Sequence, residues 1–239
     1  MASSGNYNYT GSELDIFAHA VNWKSYWSRL INNYIKGDVL EVGAGNGNNT
    51  EVLYSEKNSR WVSLEPDIEL ARQLSGRIIG KENAANIEVI NGTIMSIENK
   101  EQFDTIIYID VLEHIEDDKG ELSKASRLLN PGGCIIILAP ALPLLFSEFD
   151  KVIGHFRRYT KKSVRTIVPN NMHVERNMYL DTIGVLASLA NRVLLRQSTP
   201  GLKQIKFWDR MIIPFSKLVD RLFFYSYGKS ILTVLKKKI

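Results

Sequence analysis

The stretch Val39-Leu-Glu-Val-Gly-Ala-Gly-Asn-Gly-Asn-Asn-Thr50 decides the fold. A short apolar run with one acid inside it breaks into Gly43, Gly45 and Gly47, and these into the helix-capping residues Asn48, Asn49 and Thr50. Alternate glycines let the backbone take positive φ and approach a ligand closely, and the first free N–H groups of a helix face that ligand. The pattern therefore predicts strand, tight turn and helix around a nucleotide-like cofactor. A dinucleotide fingerprint places its third glycine one residue later, where this chain has Asn48. A dehydrogenase is disfavoured.

Working outward, the pattern alternates. Strands are predicted over 38–42, 61–64, 87–90 and 105–109, with a further one over 134–138 after the Asn130-Pro-Gly-Gly133 turn. Helices are predicted over 48–55, 68–74 and 118–129. Strands alternating with helices give a parallel sheet covered on both faces, an α/β fold. Upstream, Trp23, Tyr26, Trp27, Leu30, Ile31 and Tyr34 recur at helical spacing, so one or two helices precede the first strand. Downstream, 141–159 reads as a long connection of the kind that tends to carry function, and Thr160 as the cap of a short helix to about Val168. Strands six and seven are expected over 172–178 and 231–235, with a helical insertion of about 179–229 between them.

Composition narrows the class. The 239 residues, 44% of them hydrophobic, suffice for one α/β domain with insertions and not for two. A single cysteine, Cys134, excludes a disulfide framework and points to a reducing cytoplasm. The polar leader Met1–Ser12 has no signal-peptide pattern, and Pro140 and Pro143 break the longest apolar run, so no membrane span is expected. The net charge of +4 permits an anionic partner without requiring one, and no nucleic-acid groove is expected.

In an open parallel sheet, ligands sit at the carboxyl ends of the strands. Strand two ends in Glu65, placed to accept from a ribose diol, strand three in Asn91-Gly-Thr-Ile94, and strand four in Asp110-Val-Leu-Glu-His114. Together with Glu41-Val-Gly-Ala-Gly-Asn-Gly47, Leu64-Glu-Pro-Asp67 and Leu129-Asn-Pro-Gly-Gly133, these motifs resemble the class I S-adenosylmethionine (SAM)-dependent methyltransferases. Gly154-His-Phe-Arg-Arg-Tyr-Thr160, Asn22–Trp27 and Phe207-Trp-Asp-Arg210 are similar to a bacterial subgroup of that family. The resemblance implies a Rossmann-like fold whose seven-stranded sheet is mostly parallel, the last strand antiparallel, with SAM across the strand ends. A domain over 37–239 is expected, preceded by leader and lid helices over 1–36; Tyr26, Trp27 and Arg29 are candidates for a lid over SAM, against the alternative that an aromatic stripe at helical spacing is packing. The resemblance places Glu41, Gly43, Gly45, Gly47, Glu65, Thr93, Ile94 and Asp110 in the cofactor site. Thr93 departs from the pattern, since many relatives carry an acid there.

Methyl transfer from a sulfonium is an in-line displacement that needs a base only where the acceptor is a hydroxyl or similar group. His114 is the candidate base by type and position, against the alternative that it packs the following helix. Glu116, Asp117 and Asp118 read as charge complementarity at a helix N-terminus rather than ligands, so no metal site is expected. His155, Arg157, Arg158 and Tyr159 are the candidate acceptor-binding residues, since guanidinium groups grip carboxylate or phosphate. In an extended stretch His155, Arg157 and Tyr159 share one face and Arg158 the other. The alternative is that the arginines pair with Glu148 and Asp150 and pin the loop.

A helical arc over 206–223 groups Phe207, Trp208, Met211, Ile212, Phe215, Leu218, Val219, Leu222 and Phe223 opposite Lys206, Arg210, Lys217 and Arg221, with Pro214 kinking or splitting it. Its apolar side is expected to face the core, with peripheral membrane contact as the other placement. The reading is a cytoplasmic SAM-dependent methyltransferase acting on a small or lipid-linked anionic acceptor, O-methylation being favoured over N-methylation. A SAM-binding protein without transfer activity and an NAD(P)-dependent oxidoreductase are the alternatives.

Overall fold

The computed structural model describes residues 13–79, 86–190 and 201–238, so the expected leader over Met1–Ser12 lies outside the described residues. Seven strands form one sheet in the order β3-β2-β1-β4-β5-β7-β6: β1 (Asp38–Val42), β2 (Arg60–Glu65), β3 (Ile87–Asn91), β4 (Phe103–Ile109), β5 (Leu129–Pro140), β6 (Met172–Leu180) and β7 (Ser230–Lys237). β1 to β5 are parallel, whereas β7 runs antiparallel to both β5 and β6. The expected architecture is present. β1 and β4 are neighbours, with Val42 beside Tyr108, so the strand order reverses at the carboxyl end of β1, where ligands bind in such sheets.

Alternation along the strands builds two cores. Leu40 and Val42 of β1 point to one face, where Ile106, Tyr108 and Leu122 complete a buried cluster. Val39 points to the other, against Trp61, Ile107 and Trp27. The helices are α1 (Glu13–Ala18), α2 (Val21–Ile31), α3 (Thr50–Leu53), α4 (Ile68–Ile78), α5 (Asp118–Arg127), α6 (Glu148–Val152), α7 (Lys161–Ile167), α8 (Thr182–Ala190), α9 (Leu202–Phe207) and α10 (Ile213–Leu222). The helix expected over 48–55 is one turn, and the 141–159 connection contains α6 and a short 3₁₀ turn at Pro143–Leu145. Asp117 caps α5, accepting from Gly120 N at 2.9 Å, and Thr160 caps α7.

The expectation for 206–223 is overturned in phase. A π-turn at Trp208–Ile212 precedes α10, with Pro214 in the first turn of that helix. The wide turn shifts the helical register, and the side facing inward carries Trp208, Asp209, Ile213, Ser216 and Asp220. Phe207, Met211, Phe215, Leu218, Leu222 and Phe223 are exposed.

Three buried aspartates fasten these helices to the rest. Asp209 accepts from the backbone N of Asn22 and Trp23 at 3.1 and 2.8 Å, capping α2 from a distant part of the chain. Asp220 accepts from Tyr26 Oη at 2.9 Å and from the backbone N of Asp181 and Thr182. Asp181 in turn accepts from Trp208 Nε1 at 2.8 Å and Ser216 Oγ at 2.6 Å. Leaving buried helix-terminal N–H groups unpaired costs about 1–3 kcal/mol. Asp209→Ala is expected to destabilise the fold by about 2 kcal/mol, read as a lowered denaturant midpoint at unchanged slope.

Candidate active site

A cavity of about 600 Å³ opens at the carboxyl ends of β1 and β4. Its floor is the Gly43–Asn49 turn, its roof Trp23, Lys24 and Trp27 of α2 with Leu14 and Phe17 of α1, and its far wall the 140–158 connection with Trp208 and Lys229. The turn is shaped by contacts that only glycine tolerates. A Cβ on Gly43, at φ +68°, would lie 2.6 Å from Val111 Cγ2, and one on Gly47, at φ +87°, 2.5 Å from Leu74 Cδ1. Glu65 holds the turn in place: one carboxylate oxygen accepts from Gly45 N at 2.7 Å, the other from Asp67 N at 2.9 Å.

Beyond the turn, Asp110 lines the cavity with a positive φ of 55°, a strained conformation for a side chain other than glycine and one that clusters at functional sites. Desolvation by the cavity walls pushes its carboxyl up to about 6, against the pull of His155, Lys229 and Lys24. Three residues on, Glu113 is fully buried, and neither carboxylate oxygen has a hydrogen-bond partner among the described residues. Burial, then the neighbouring Asp110, raises its carboxyl well above the usual range. Burial also lowers His114, to about 4, helped by His155. The two imidazoles meet edge to face, with ring centroids 4.5 Å apart.

Asp150, at the start of the connection's helix α6, organises the opposite wall. It accepts from His155 Nδ1 at 2.9 Å, from Arg158 Nε and Nη2 at 2.8 and 3.0 Å, and from Ser147 N at 2.8 Å. Burial alone would raise its carboxyl, but the His155 and Arg158 bonds outweigh it and hold the group well below the usual range.

Of the residues singled out in the sequence, Gly43, Gly45, Asp110, His114, His155 and Arg158 converge on this one cavity. The others stand behind it. Glu41 is buried under the turn, accepting from Thr50 Oγ1, Trp61 Nε1 and Ser63 Oγ, and burial pushes it up to about 7 despite those bonds. Gly47 packs on α4 (Ile68–Ile78), Thr93 Oγ1 accepts from Met95 N at 3.3 Å, and Ile94 is wholly buried. The face assignment of the 155–159 stretch is corrected. His155 and Arg158 both reach Asp150, whereas Arg157 pairs with Asp118 at 2.7 Å and Tyr159 Oη bonds the same carboxylate at 2.8 Å. Regular alternation fails because Phe156 N is tied to Glu113 O and Tyr159 N to Pro140 O, which bends the segment across the strand ends. The loop-pinning alternative holds for Arg158 with Asp150, while Glu148 pairs with Lys151. Of the lid candidates, Trp27 borders the cavity while buried in the core, Tyr26 turns to Asp220 and Arg29 is exposed. Lys24 and Lys229 were not singled out, Asp150 only as a partner of the arginines and Glu113 only within the strand-four motif, since each is brought to the cavity by the fold.

The chain belongs to the methyltransferase domain family, whose pattern matches residues 19–190. An uncharacterized methyltransferase of Bacillus mycoides is 30% identical over 125 residues, 51% of this chain and 54% of that protein, so the chain spans about half the length of the curated relatives it matches. The N-methyltransferase NodS of Bradyrhizobium japonicum, solved with S-adenosyl-L-homocysteine (SAH), superposes with a TM-score of 0.61 at 15% identity over 96% of this chain and 93% of that one. A putative methyltransferase of Haloferax volcanii, solved with the activator Trm112, gives a TM-score of 0.64 at 14% identity over 95% of each chain. These two establish the shared fold. The family is that of a methyltransferase domain and not of an NAD(P)-dependent oxidoreductase.

The lowered His114 fixes a pH dependence. Its ordinary value of 6.5 falls to about 4 in the folded chain, so between those values the unfolded chain binds a proton that the folded one does not. Its contribution to stability is complete above pH 6.5 and is lost as pH falls toward 4. His114→Gln is expected to flatten that part of the acid limb in denaturant titrations run at successive pH values.

Proposed function

We propose that this methyltransferase uses SAM to methylate a hydroxyl on an anionic, lipid-linked acceptor that it meets at a membrane surface. The cofactor reading is supported by the cradle itself: a glycine turn at positive φ braced by Glu65, and the Asp110 carboxylate on the cavity wall, suited to a cationic ligand. When bound, SAM supplies an electrophilic methyl on sulfur. Gly43, Gly45 and Asp110 hold it, with Glu65 stiffening the turn behind them. His114, with Glu113 and His155, receives the acceptor hydroxyl and takes the role of making its oxygen nucleophilic. The acceptor's negative charge meets Lys229, a cavity-lining ammonium that stacks on Trp208 at 5.0 Å and has no ion pair among the described residues, and Arg158 at the same wall. Arg157 and Tyr159 keep the loop in position rather than touching the acceptor.

The observation that carries the membrane reading is the outer side of residues 202–224. Phe207, Met211, Phe215, Leu218 and Leu222 form one exposed apolar stripe, continued by Phe223 and Phe224. Lys203, Lys206, Arg210, Lys217 and Arg221 surround it, and the two acids of the segment, Asp209 and Asp220, are buried. An apolar face rimmed by cations with no surface acid suits the anionic cytoplasmic leaflet. Ile205 and Trp208 of the same segment line the cavity, so docking would bring a lipid-borne group to its wall. Among the described residues no helix is long and apolar enough to cross a membrane.

Co-sedimentation with vesicles containing phosphatidylserine is expected to pellet the protein at low salt and release part of it at high salt, with Phe215→Glu/Leu218→Glu abolishing the binding at unchanged SAH affinity. Protein that stays in the supernatant at low salt removes the membrane step. Incubation with methyl-labelled SAM and a bacterial polar lipid extract is expected to put label into an acidic, organic-extractable product. Lys229→Met should lower that labelling about 10- to 100-fold with SAH binding retained.

A further inference from the structure

We propose that Glu113, His114 and His155 form a binding site for a divalent transition-metal cation of the Zn²⁺ class on the cavity wall, with the open coordination position facing the acceptor. This rests on the hydroxyl-acceptor reading above and gives the means by which the oxygen is activated.

Glu113 is the first argument. Buried carboxylates elsewhere in the described residues are supplied with donors: Glu41 by a threonine, a tryptophan and a serine, Glu65 by two backbone N–H groups, and Asp181, Asp209 and Asp220 by the bonds that fasten the helices. Glu113, fully buried, has none at either oxygen. A buried polar group without a partner costs enough that an unseen water or ion is the ordinary explanation. The surroundings favour an ion, because they offer electron pairs rather than protons. His155 gives its Nδ1 to Asp150 Oδ1 at 2.9 Å, which turns Nε2 toward Glu113 Oε1 at 3.7 Å. This carboxylate–histidine arrangement is how metal-ligating imidazoles are oriented, and Arg158 and Ser147 fix Asp150 in turn. His114, its ring centroid 4.5 Å from that of His155, offers a ligand nitrogen from the same side of the cavity.

The distances suit one ion. The ligand atoms of Glu113, His114 and His155 lie within 4.8 Å of one another. Bonds of roughly 2.0–2.2 Å in a tetrahedral site put neighbouring ligand atoms about 3.4 Å apart, so the three close on a cation by side-chain movements of about 1 Å. Three protein ligands with a fourth position open is the pattern of a catalytic rather than a structural site. All three residues line the cavity. An acceptor hydroxyl bound at the fourth position becomes acidic and loses its proton to solvent. The oxygen lone pair then forms the O–CH₃ bond as the S–CH₃ bond breaks, its electron pair returning to sulfur to leave neutral SAH.

The test reads the metal directly. The full chain, stripped with chelator, is titrated with Co²⁺ and followed by visible absorption, with SAH affinity measured by calorimetry on the same sample. Saturation at one equivalent with the intense bands of four-coordinate cobalt, bleached by Zn²⁺, is expected. Glu113→Gln and His155→Asn should each weaken Co²⁺ binding at least a hundredfold, and Asp150→Asn about 10- to 100-fold through the His155 orientation. No saturable Co²⁺ binding in the wild-type chain that still binds SAH overturns the cation site and leaves the methyl-transfer reading standing, with a water on Glu113. Binding that survives both ligand substitutions overturns it equally. Loss of SAH binding by the wild-type chain strikes the cofactor reading instead.

Discussion

A carboxylate removed from water has to find donors, and meeting that demand shapes this structure. Asp209 finds them in the first turn of α2, Asp220 in Tyr26 and the start of α8, and Asp181 in Trp208 and Ser216. Through these bonds residues far apart in sequence draw α2, α8, α9 and α10 into one assembly over the end of the sheet. The cavity exists because that assembly stands off from the Gly43–Asn49 turn instead of collapsing on it. Glu65 and Glu41 do the same service beneath the turn, each anchored by donors from neighbouring strands or the turn itself.

Topology supplies the other half of the site. Because β1 and β4 are neighbours, the Gly43 turn and the Asp110–His114 segment emerge side by side from the sheet. Because β7 enters antiparallel between β5 and β6, Lys229 arrives at the same edge from the opposite direction, immediately before Ser230 pairs with Pro140. Charges of both signs are thereby packed around one cavity: Asp110, Glu113 and Asp150 against Lys24, Arg158 and Lys229. Asp150 and Arg158 satisfy each other, and desolvation raises the carboxyls of Asp110 and Glu113.

The outer surface of α9 to α10 follows from the same hydrogen bonding. A helix carrying both bulky apolar residues and two aspartates has two candidate inward sides, and the aspartates won, because their donors on α2 and α8 are available only from within. The apolar stripe of Phe207, Met211, Phe215, Leu218 and Leu222 was left facing out.

Much of this was legible in the residues. The apolar runs and the Gly43–Gly47 turn determine the strands, their order of appearance and the place of the tight turn that floors the cavity, because strand patterning and glycine's access to positive φ are local properties. Glu65, Asp110 and His114 could be named because they close strands whose ends are visible in sequence. What the tertiary structure alone decided was which side of each irregular segment turns inward: the phase of 206–223, set by a π-turn that a fixed helical period does not contain, and the face of Arg158, set by Asp150. It alone also brought Glu113 and His155 together. No local pattern records that meeting, since Glu113 is next to His114 in a strand-end turn while His155 arrives by way of α6, and only burial reveals that the carboxylate between them has no donor.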